Sequence, residues 1–232
     1  MFKGYVMRPL AFLKYFLLIF VLGSCALDQE AKQAPILKET ASLAEQVHAL
    51  VVGRQEKAVN ALSPEIASFV SSEPVASREK NQKGAGFTRV YQYGDGEAIA
   101  TVFIYNNQDF GITGEITPAM EALMDRHLSE MQAMQDSGLY TQVKIGAQKT
   151  REFKARGIKY QVLETDVAFV QKDEPKISYF ALGGNRELMS FIRIRITYPR
   201  AIRARMQENR TVFVREVFRE LNEFASGDQN RQ

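Results

Sequence analysis

The chain of 232 residues has one cysteine, Cys25, two histidines and no tryptophan. A single cysteine excludes an intramolecular disulfide and any metal cluster built from several thiolates of one chain. The histidines, His48 and His127, are far apart in sequence and fall in different predicted helices, which excludes a multi-histidine metal site. We therefore predict no metal and no cofactor, and we expect packing of a hydrophobic core to stabilise the fold.

The chain also has little excess charge. Its formal net charge is +3, but three of the basic residues, Lys3, Arg8 and Lys14, precede Cys25. Without them the 30 basic residues fall to 27 and equal the 27 acidic ones. A neutral mature protein lacks the basic surplus typical of nucleic-acid binding, so no nucleic-acid partner is predicted.

No hydrophobic run near the N-terminus is long enough to span a membrane. The apolar run from Tyr15 to Leu22 has eight residues, whereas a transmembrane helix needs about 20. Extending the run towards Leu10 would bury Lys14, at about 2.5–3.5 kcal/mol near the bilayer centre. A basic start, a short apolar centre and small residues after it are typical of a cleaved signal peptide, predicted over residues 1–24.

The end of that segment, Leu22-Gly23-Ser24-Cys25, resembles the lipobox of bacterial lipoproteins. The resemblance implies cleavage before Cys25, diacylglyceryl attachment to its thiol and acylation, commonly with palmitate, of the new amino group. Two or three acyl chains anchor a protein far more firmly than one. The alternative is an ordinary secretory signal with a chance cysteine. Because Ala26, not aspartate, follows the cysteine, the resemblance favours the outer membrane, facing the periplasm, over the inner membrane.

Two segments precede the predicted domain. Residues 25–39 are polar, contain Pro35 and are interpreted as a tether behind the lipidated N-terminus. Residues 40–63 have apolar residues at helical spacing, which predicts an amphipathic helix that begins near Thr40 and stops at Ser63-Pro64. This helix either binds a partner or self-associates, or it docks on the domain or forms a stalk. A stalk that self-associates would depend on Leu43, Val47 and Leu50.

Residues 64–227 are predicted to form an α+β domain, followed by a disordered tail at 228–232. The expected order is ββαββββα, a mostly antiparallel sheet of about six strands with helices packed on it. Thr117-Pro118 marks the start of the middle helix. Asp173-Glu174-Pro175 and Gly183-Gly184-Asn185 indicate tight turns, and Gly227 is expected beyond the last helix. The predicted strands are 87–93, 98–105, 140–147, 158–170, 177–182 and 188–198.

Three framework segments resemble the Mog1/PsbP-like superfamily. They are Gly86-Phe87-Thr88-Arg89, the strand Ala100-Thr101-Val102-Phe103-Ile104-Tyr105, and Ile192-Arg193-Ile194-Arg195-Ile196-Thr197-Tyr198-Pro199 before the last helix. The resemblance covers about residues 64–225. It implies a compact module that docks to protein complexes or envelope partners, and it carries no catalytic residues.

An arginine-rich C-terminal part is the main candidate binding surface. Alternation with isoleucines places Arg193 and Arg195 on one face of a strand, and with Arg200, Arg203 and Arg205 they could meet an anionic partner. The alternative is a solvated face of paired charges. His127 and the nearby methionines at 120, 124, 131 and 134 are interpreted as packing residues of a helix rather than as a base or a copper site.

No catalytic constellation is evident in the sequence. We therefore predict a non-enzymatic, lipid-anchored protein of the cell envelope that binds a protein or an envelope component. The alternative is an envelope hydrolase or a small-ligand carrier whose site assembles only in three dimensions.

Overall fold

The computed structural model describes residues 42–109, 111–155 and 158–229. The predicted signal peptide, lipobox and tether lie outside these residues. From residue 50 onward the described residues belong to one compact unit. Within the described ranges, no helix is both long and apolar enough to cross a membrane.

Three α-helices and ten strands make up the described part of the chain. The helices are α1 at residues 42–61, α2 at Pro118–Asp136 and α3 at Arg203–Gln229, the last preceded by a 3-10 turn at Arg200–Ile202. The strands are β1 Glu65–Ile66, β2 Phe69–Ser71, β3 Ala76–Ser77, β4 Phe87–Tyr93, β5 Ala98–Tyr105, β6 Thr141–Ile145, β7 Lys149–Ala155, β8 Ile158–Gln171, β9 Glu174–Asn185 and β10 Ser190–Pro199.

All ten strands form one antiparallel sheet in the order β1-β2-β4-β5-β10-β9-β8-β6. Strand β3 pairs with β4, and β7 pairs with β8. The long strand β8 has two partners on its outer side, β7 along its first half and β6 along its second. This arrangement confirms the predicted α+β class, and the six predicted strands correspond to β4, β5, β6, β8, β9 and β10.

The central strand β10 shows why helices cover both faces of the sheet. Ile192, Ile194 and Ile196 are fully buried on one face, where α3 contributes Phe213 and Val217 to the larger core. The opposite face packs against α2, which contributes Met120, Met124, Leu128 and Met131 to a second core. Successive side chains of a strand point to opposite faces, so one alternating sequence serves both layers.

The start of α2 agrees with the prediction. The Thr117 hydroxyl accepts a hydrogen bond from the Met120 amide, and Pro118 occupies the first turn. The packing interpretation is confirmed for three of the four stripe methionines, which are buried. It is wrong for Met134, which is 39% exposed because it lies in the last turn of the helix, beyond the face that packs on the sheet.

Two predicted ends of secondary-structure elements are wrong. Gly183, Gly184 and Asn185 are the last residues of β9, and the turn follows them. The two glycines are required by close packing: a Cβ on Gly183 would lie 2.6 Å from the Phe218 ring, and one on Gly184 would lie 1.9 Å from the Thr113 carbonyl oxygen. Helix α3 also continues past Gly227, where an added Cβ would meet no heavy atom within 4 Å.

The turn between β8 and β9 is present, shifted by one residue from its expected place. Lys172 and Asp173 both have positive φ, 51° and 63°, as the central residues of a two-residue hairpin turn require. Glu174 and Pro175 already belong to β9.

The end of α1 is bonded to the sheet and to α3. The Arg89 guanidinium donates to the carbonyl of Val59, in the last turn of the helix, and to that of Leu62, just after its end. The Ser63 amide and hydroxyl donate to the Glu220 carboxylate at 2.7 and 2.8 Å. The bonds from Arg89 satisfy carbonyls that a helix end leaves without partners.

Candidate functional site

A polar cleft opens between α3 and the outer part of the sheet. Its volume is about 350 Å³. The residues around it are mostly charged or polar: Gly146, Ala147, Lys149, Arg151, Glu164, Thr165, Asp166, Tyr179, Arg203, Gln207 and Arg210.

Strand register brings the charged groups of the sheet to one face. Glu164 and Asp166 are two residues apart on β8 and therefore point the same way. Lys149 of β7 lies directly opposite Glu164, and Tyr179 of β9 lies directly opposite Asp166. Arg151, two residues after Lys149, shares its face.

Helix α3 supplies the opposite wall. Arg203, Gln207 and Arg210 are spaced four and three residues apart, which places them on one side of the helix. Arg203 is the first residue of α3, so the N-terminal end of this helix borders the cleft.

An ion pair joins β7 to β8 at one end of the cleft. Arg151 donates from Nε to both Glu164 carboxylate oxygens at 3.1 Å and from Nη2 to Oε1 at 2.8 Å. The Tyr179 hydroxyl donates to Oε2 of the same carboxylate at 2.6 Å. Burial, and then the adjacent Glu164 charge, raise the pKa of Tyr179 well above its usual value. Its hydroxyl therefore stays protonated at neutral pH and acts as a donor.

A second ion pair joins α3 to β8. Arg210 donates through Nη1 and Nη2 to the two carboxylate oxygens of Asp166 and through Nη1 to the Tyr198 hydroxyl at 2.8 Å. Its guanidinium carbon lies 4.4 Å from the centre of the Tyr179 ring, within cation–π range. Only 13% of the Arg210 side chain is exposed, so this pair is mostly shielded from solvent.

The cleft carries more positive than negative charge. Four cationic side chains line it, against the two carboxylates of Glu164 and Asp166. Arg203 is 58% exposed, and its only ion pair with a described residue is a 3.9 Å contact to Asp166. The Lys149 side chain is exposed and makes no hydrogen bond or ion pair with the described part of the chain. The carboxylates are satisfied by Arg151 and Arg210, so the surplus charge belongs to Lys149 and Arg203.

This arrangement suits binding of an anion more than bond cleavage. None of the cleft's lining residues is a cysteine, histidine or serine, and the Thr165 hydroxyl is already bonded to the Gly146 carbonyl at 3.0 Å. No group of three or more His, Cys, Asp or Glu side chains within the described ranges is arranged to hold a metal ion.

The five arginines expected to form one anionic-partner patch do not lie together. Arg193 and Arg195 share a face of β10, as predicted, but that face is covered by α2 and both side chains are partly buried. Arg203 lies at the cleft on the opposite face. Arg205 pairs with Glu97 at 2.6 Å, and Arg200 is exposed in the 3-10 turn. The sheet itself separates the residues. Arg193 and Arg195 point to the face of β10 that α2 covers, whereas α3, which carries Arg203 and Arg205, packs on the opposite face.

The buried face of β10 holds a second polar cluster. Arg193 Nη1 donates to Nδ1 of His127 at 2.6 Å, and the Tyr105 hydroxyl lies 3.1 Å from the other ring nitrogen. The Arg193 guanidinium stacks over Phe103, with its central carbon 4.0 Å from the ring centre. His127 is 8% exposed, which confirms the packing interpretation.

Sequence reasoning did not identify the cleft. Its residues come from four separate segments, and only the pairing of β7 with β8 and the position of α3 unite them. One signal was available: Glu164 and Asp166, the two acidic residues of β8, are two positions apart and therefore share one face of the strand. The lipobox residues Leu22, Gly23, Ser24 and Cys25 lie outside the described residues, so they stay predictions.

No known protein family matches the chain, and neither does any curated protein sequence. Among solved structures, the solution structure of the cyanobacterial PsbP protein CyanoP from Synechocystis sp. PCC 6803 is similar, with a TM-score of 0.41 and 10% sequence identity. The similarity covers 64% of this chain and 85% of that one. The α+β class rests on the elements themselves, and membership of the Mog1/PsbP-like superfamily stays a prediction.

Proposed function

We propose that the chain is a lipid-anchored, non-catalytic binding protein of the bacterial cell envelope. The observation that carries this proposal is the segment Leu22-Gly23-Ser24-Cys25, which follows a basic start and an apolar run and contains the only cysteine of the chain. Release of the lipidated protein to the outer membrane, facing the periplasm, is proposed because Ala26 follows the cysteine.

The cleft supports the binding part of the proposal. Its two strong ion pairs leave the positive charges of Lys149 and Arg203 in surplus, and a surplus of positive charge in a cleft attracts a ligand of opposite charge. The same observation favours the second candidate function, a carrier of a small anionic ligand, over a hydrolase. A protein partner that presents an acidic group would use the same surface.

The anchor is tested by intact mass spectrometry of the protein extracted from membranes of its native host. We expect the mass of residues 25–232 plus acyl chains. Cys25→Ser should abolish both cleavage and lipidation. An unlipidated wild-type chain, whole or cut elsewhere, would refute the anchor.

A matched variant separates anchoring from sorting. Ala26→Asp keeps the lipidated cysteine and should therefore keep the acylated mass. In a host with two membranes, it should shift the protein from the outer to the inner membrane fraction. Identical fractionation of Ala26→Asp and wild type would refute the outer-membrane assignment while leaving the anchor intact.

A further inference from the structure

We propose that the cleft is a binding site for the dianionic phosphate group of a phosphate monoester. The proposal rests on the binding role proposed above for the cleft and does not depend on the lipid anchor.

The charge surplus matches a dianion. Lys149, Arg151, Arg203 and Arg210 supply four positive charges, and Glu164 and Asp166 remove two. A phosphate monoester carries about −1.5 to −2 charges at pH 7, because its second pKa is about 6. A carboxylate or a phosphodiester would neutralise only half of the surplus, and a metal cation would increase it.

The donors that would bind the phosphate are those that the internal ion pairs leave available. Arg203 makes only the 3.9 Å contact to Asp166, and Lys149 makes no contact with a described carboxylate within ion-pair distance. Arg151 bonds Glu164 through Nε and Nη2, and 42% of its side chain is exposed. Charge-assisted bonds from such groups to phosphate oxygens are the strongest that side chains make.

Helix α3 adds to the positive potential through its side chains. Arg203, in its first turn, lines the cleft, whereas the Arg203 amide already donates to the Arg200 carbonyl of the preceding 3-10 turn. The carboxylates at the back of the cleft do not oppose this, since both are already bonded to arginines.

The wall chemistry indicates that the phosphate is carried by a hydrophilic group. The cleft has no aliphatic lining residue beyond Ala147, and its one aromatic ring, that of Tyr179, is covered by the Arg210 guanidinium. A volume of about 350 Å³ exceeds what a free phosphate ion needs. The monoester could be a soluble molecule or the headgroup of a lipid, and the experiment separates these sources.

The test is isothermal titration calorimetry of the full chain, extracted in a non-ionic detergent, with inorganic phosphate, glycerol 3-phosphate and acetate. We expect both phosphates to bind and acetate to bind at least about tenfold more weakly, because it offers one charge instead of two. Phosphate affinity should rise from pH 5 to pH 7, as the second proton leaves the phosphate, and should fall with added salt.

Two variants at the rim test the assignment, and a third is the control. Arg203→Gln and Lys149→Gln should each weaken phosphate binding about tenfold, the loss expected for one charge-assisted bond. Arg205→Gln makes the same change of charge two residues along α3, outside the lining, and should bind like wild type. The far-ultraviolet circular dichroism of all three should match that of wild type, since each replaced side chain is exposed.

A source arm titrates the same detergent-extracted chain with a short-chain phosphatidic acid, whose headgroup is a phosphate monoester. Binding at least about tenfold tighter than that of glycerol 3-phosphate identifies a lipid source, and equal affinity identifies a soluble one. Absence of phosphate binding at millimolar concentration, or equal losses in Arg205→Gln and Arg203→Gln, would overturn the proposal. Equal affinity for acetate and phosphate would overturn the phosphate assignment but leave the cleft as an anion site. The lipid anchor is tested separately, because none of these binding results changes the expected mass of the lipidated chain.

Discussion

Arg193 donates a 2.6 Å hydrogen bond to Nδ1 of His127 beneath helix α2. This bond requires a neutral imidazole, because a protonated ring has no lone pair to accept it. Burial, and then the positive charges of Arg193 and Arg126, lower the pKa of His127 to about 3. Glu130, whose carboxylate is 3.4 Å from the ring, is 60% exposed and offsets little of this effect.

The first prediction concerns the pH dependence of stability. Between pH 6.5 and about 3 the unfolded chain binds a proton at this histidine and the folded chain does not, so the free energy of unfolding falls as the pH falls. The slope is about 1.4 kcal/mol per pH unit. His127→Gln, which can still accept the Arg193 bond, removes this slope. The variant should be less stable than wild type at pH 7. This difference in the free energy of unfolding should be about 2 kcal/mol smaller at pH 5.

Urea unfolding at pH 7 and pH 5 measures this difference. The control is His48→Gln, which replaces the only other histidine of the chain. Parallel pH profiles for wild type and His127→Gln would show that His127 is protonated in the folded protein.

The second prediction concerns the glycine of β9 beneath α3. A Cβ at Gly183 would lie 2.6 Å from two atoms of the Phe218 ring and 3.1 Å from the Gln161 carbonyl oxygen. Because that ring is buried in the core, it cannot move away freely. Gly183→Ala should therefore lower the free energy of unfolding by about 1–3 kcal/mol.

The matched control for this change is Gly227→Ala in α3. No heavy atom lies within 4 Å of a Cβ there, and alanine favours a helix over glycine by up to about 1 kcal/mol. Gly227→Ala should leave stability unchanged or raise it slightly. A loss for Gly227→Ala equal to that of Gly183→Ala would contradict the packing argument.

The elements that the sequence predicted are those with a local signal. Strands β4 and β5 alternate or are apolar throughout, and α2 has Thr117 and Pro118 at its start, so their bounds follow from neighbouring residues. Strand β7 has no such signal. Its residues Lys149–Ala155 are mostly charged or polar, and it pairs only with β8 at the border of the sheet.

The cleft could not be predicted from the sequence, because no single segment contains all of its ion-pair partners. The partner of Glu164 is Arg151 across a strand pair, and the partner of Asp166 is Arg210, 44 residues later in α3. The glutamates near Arg210 in the sequence favour a solvated helical position for it, but the packing of α3 on the sheet makes it a mostly buried ion-pair partner of Asp166. The glycines of β9 are ambiguous in the same way, because close packing and a turn both favour glycine.

The third prediction concerns the end of α1. Arg89 lies on β4, and its guanidinium donates to the carbonyl of Val59 in the last turn of the helix and to that of Leu62 just beyond it. Arg89→Met keeps most of the aliphatic stem but leaves those carbonyls without their charged donor. We expect a loss of about 1.5–3 kcal/mol in the free energy of unfolding. Arg186→Met, at an exposed turn position, should change it by less than about 0.5 kcal/mol in the same urea titration.

The fourth prediction compares two leucines of the segment that was predicted as one amphipathic helix. Leu62 is 2% exposed and belongs to the core beneath α3, whereas Leu50 is 69% exposed. Leu62→Ala should destabilise the protein by about 2–5 kcal/mol, because it removes buried methyl groups and leaves a cavity. Leu50→Ala should change stability by less than about 0.5 kcal/mol, because its side chain is already in water. Thermal and urea unfolding of the two variants side by side measure this contrast, and equal losses would mean that the Leu50 side chain is covered by a neighbouring molecule, as a self-associating stalk requires.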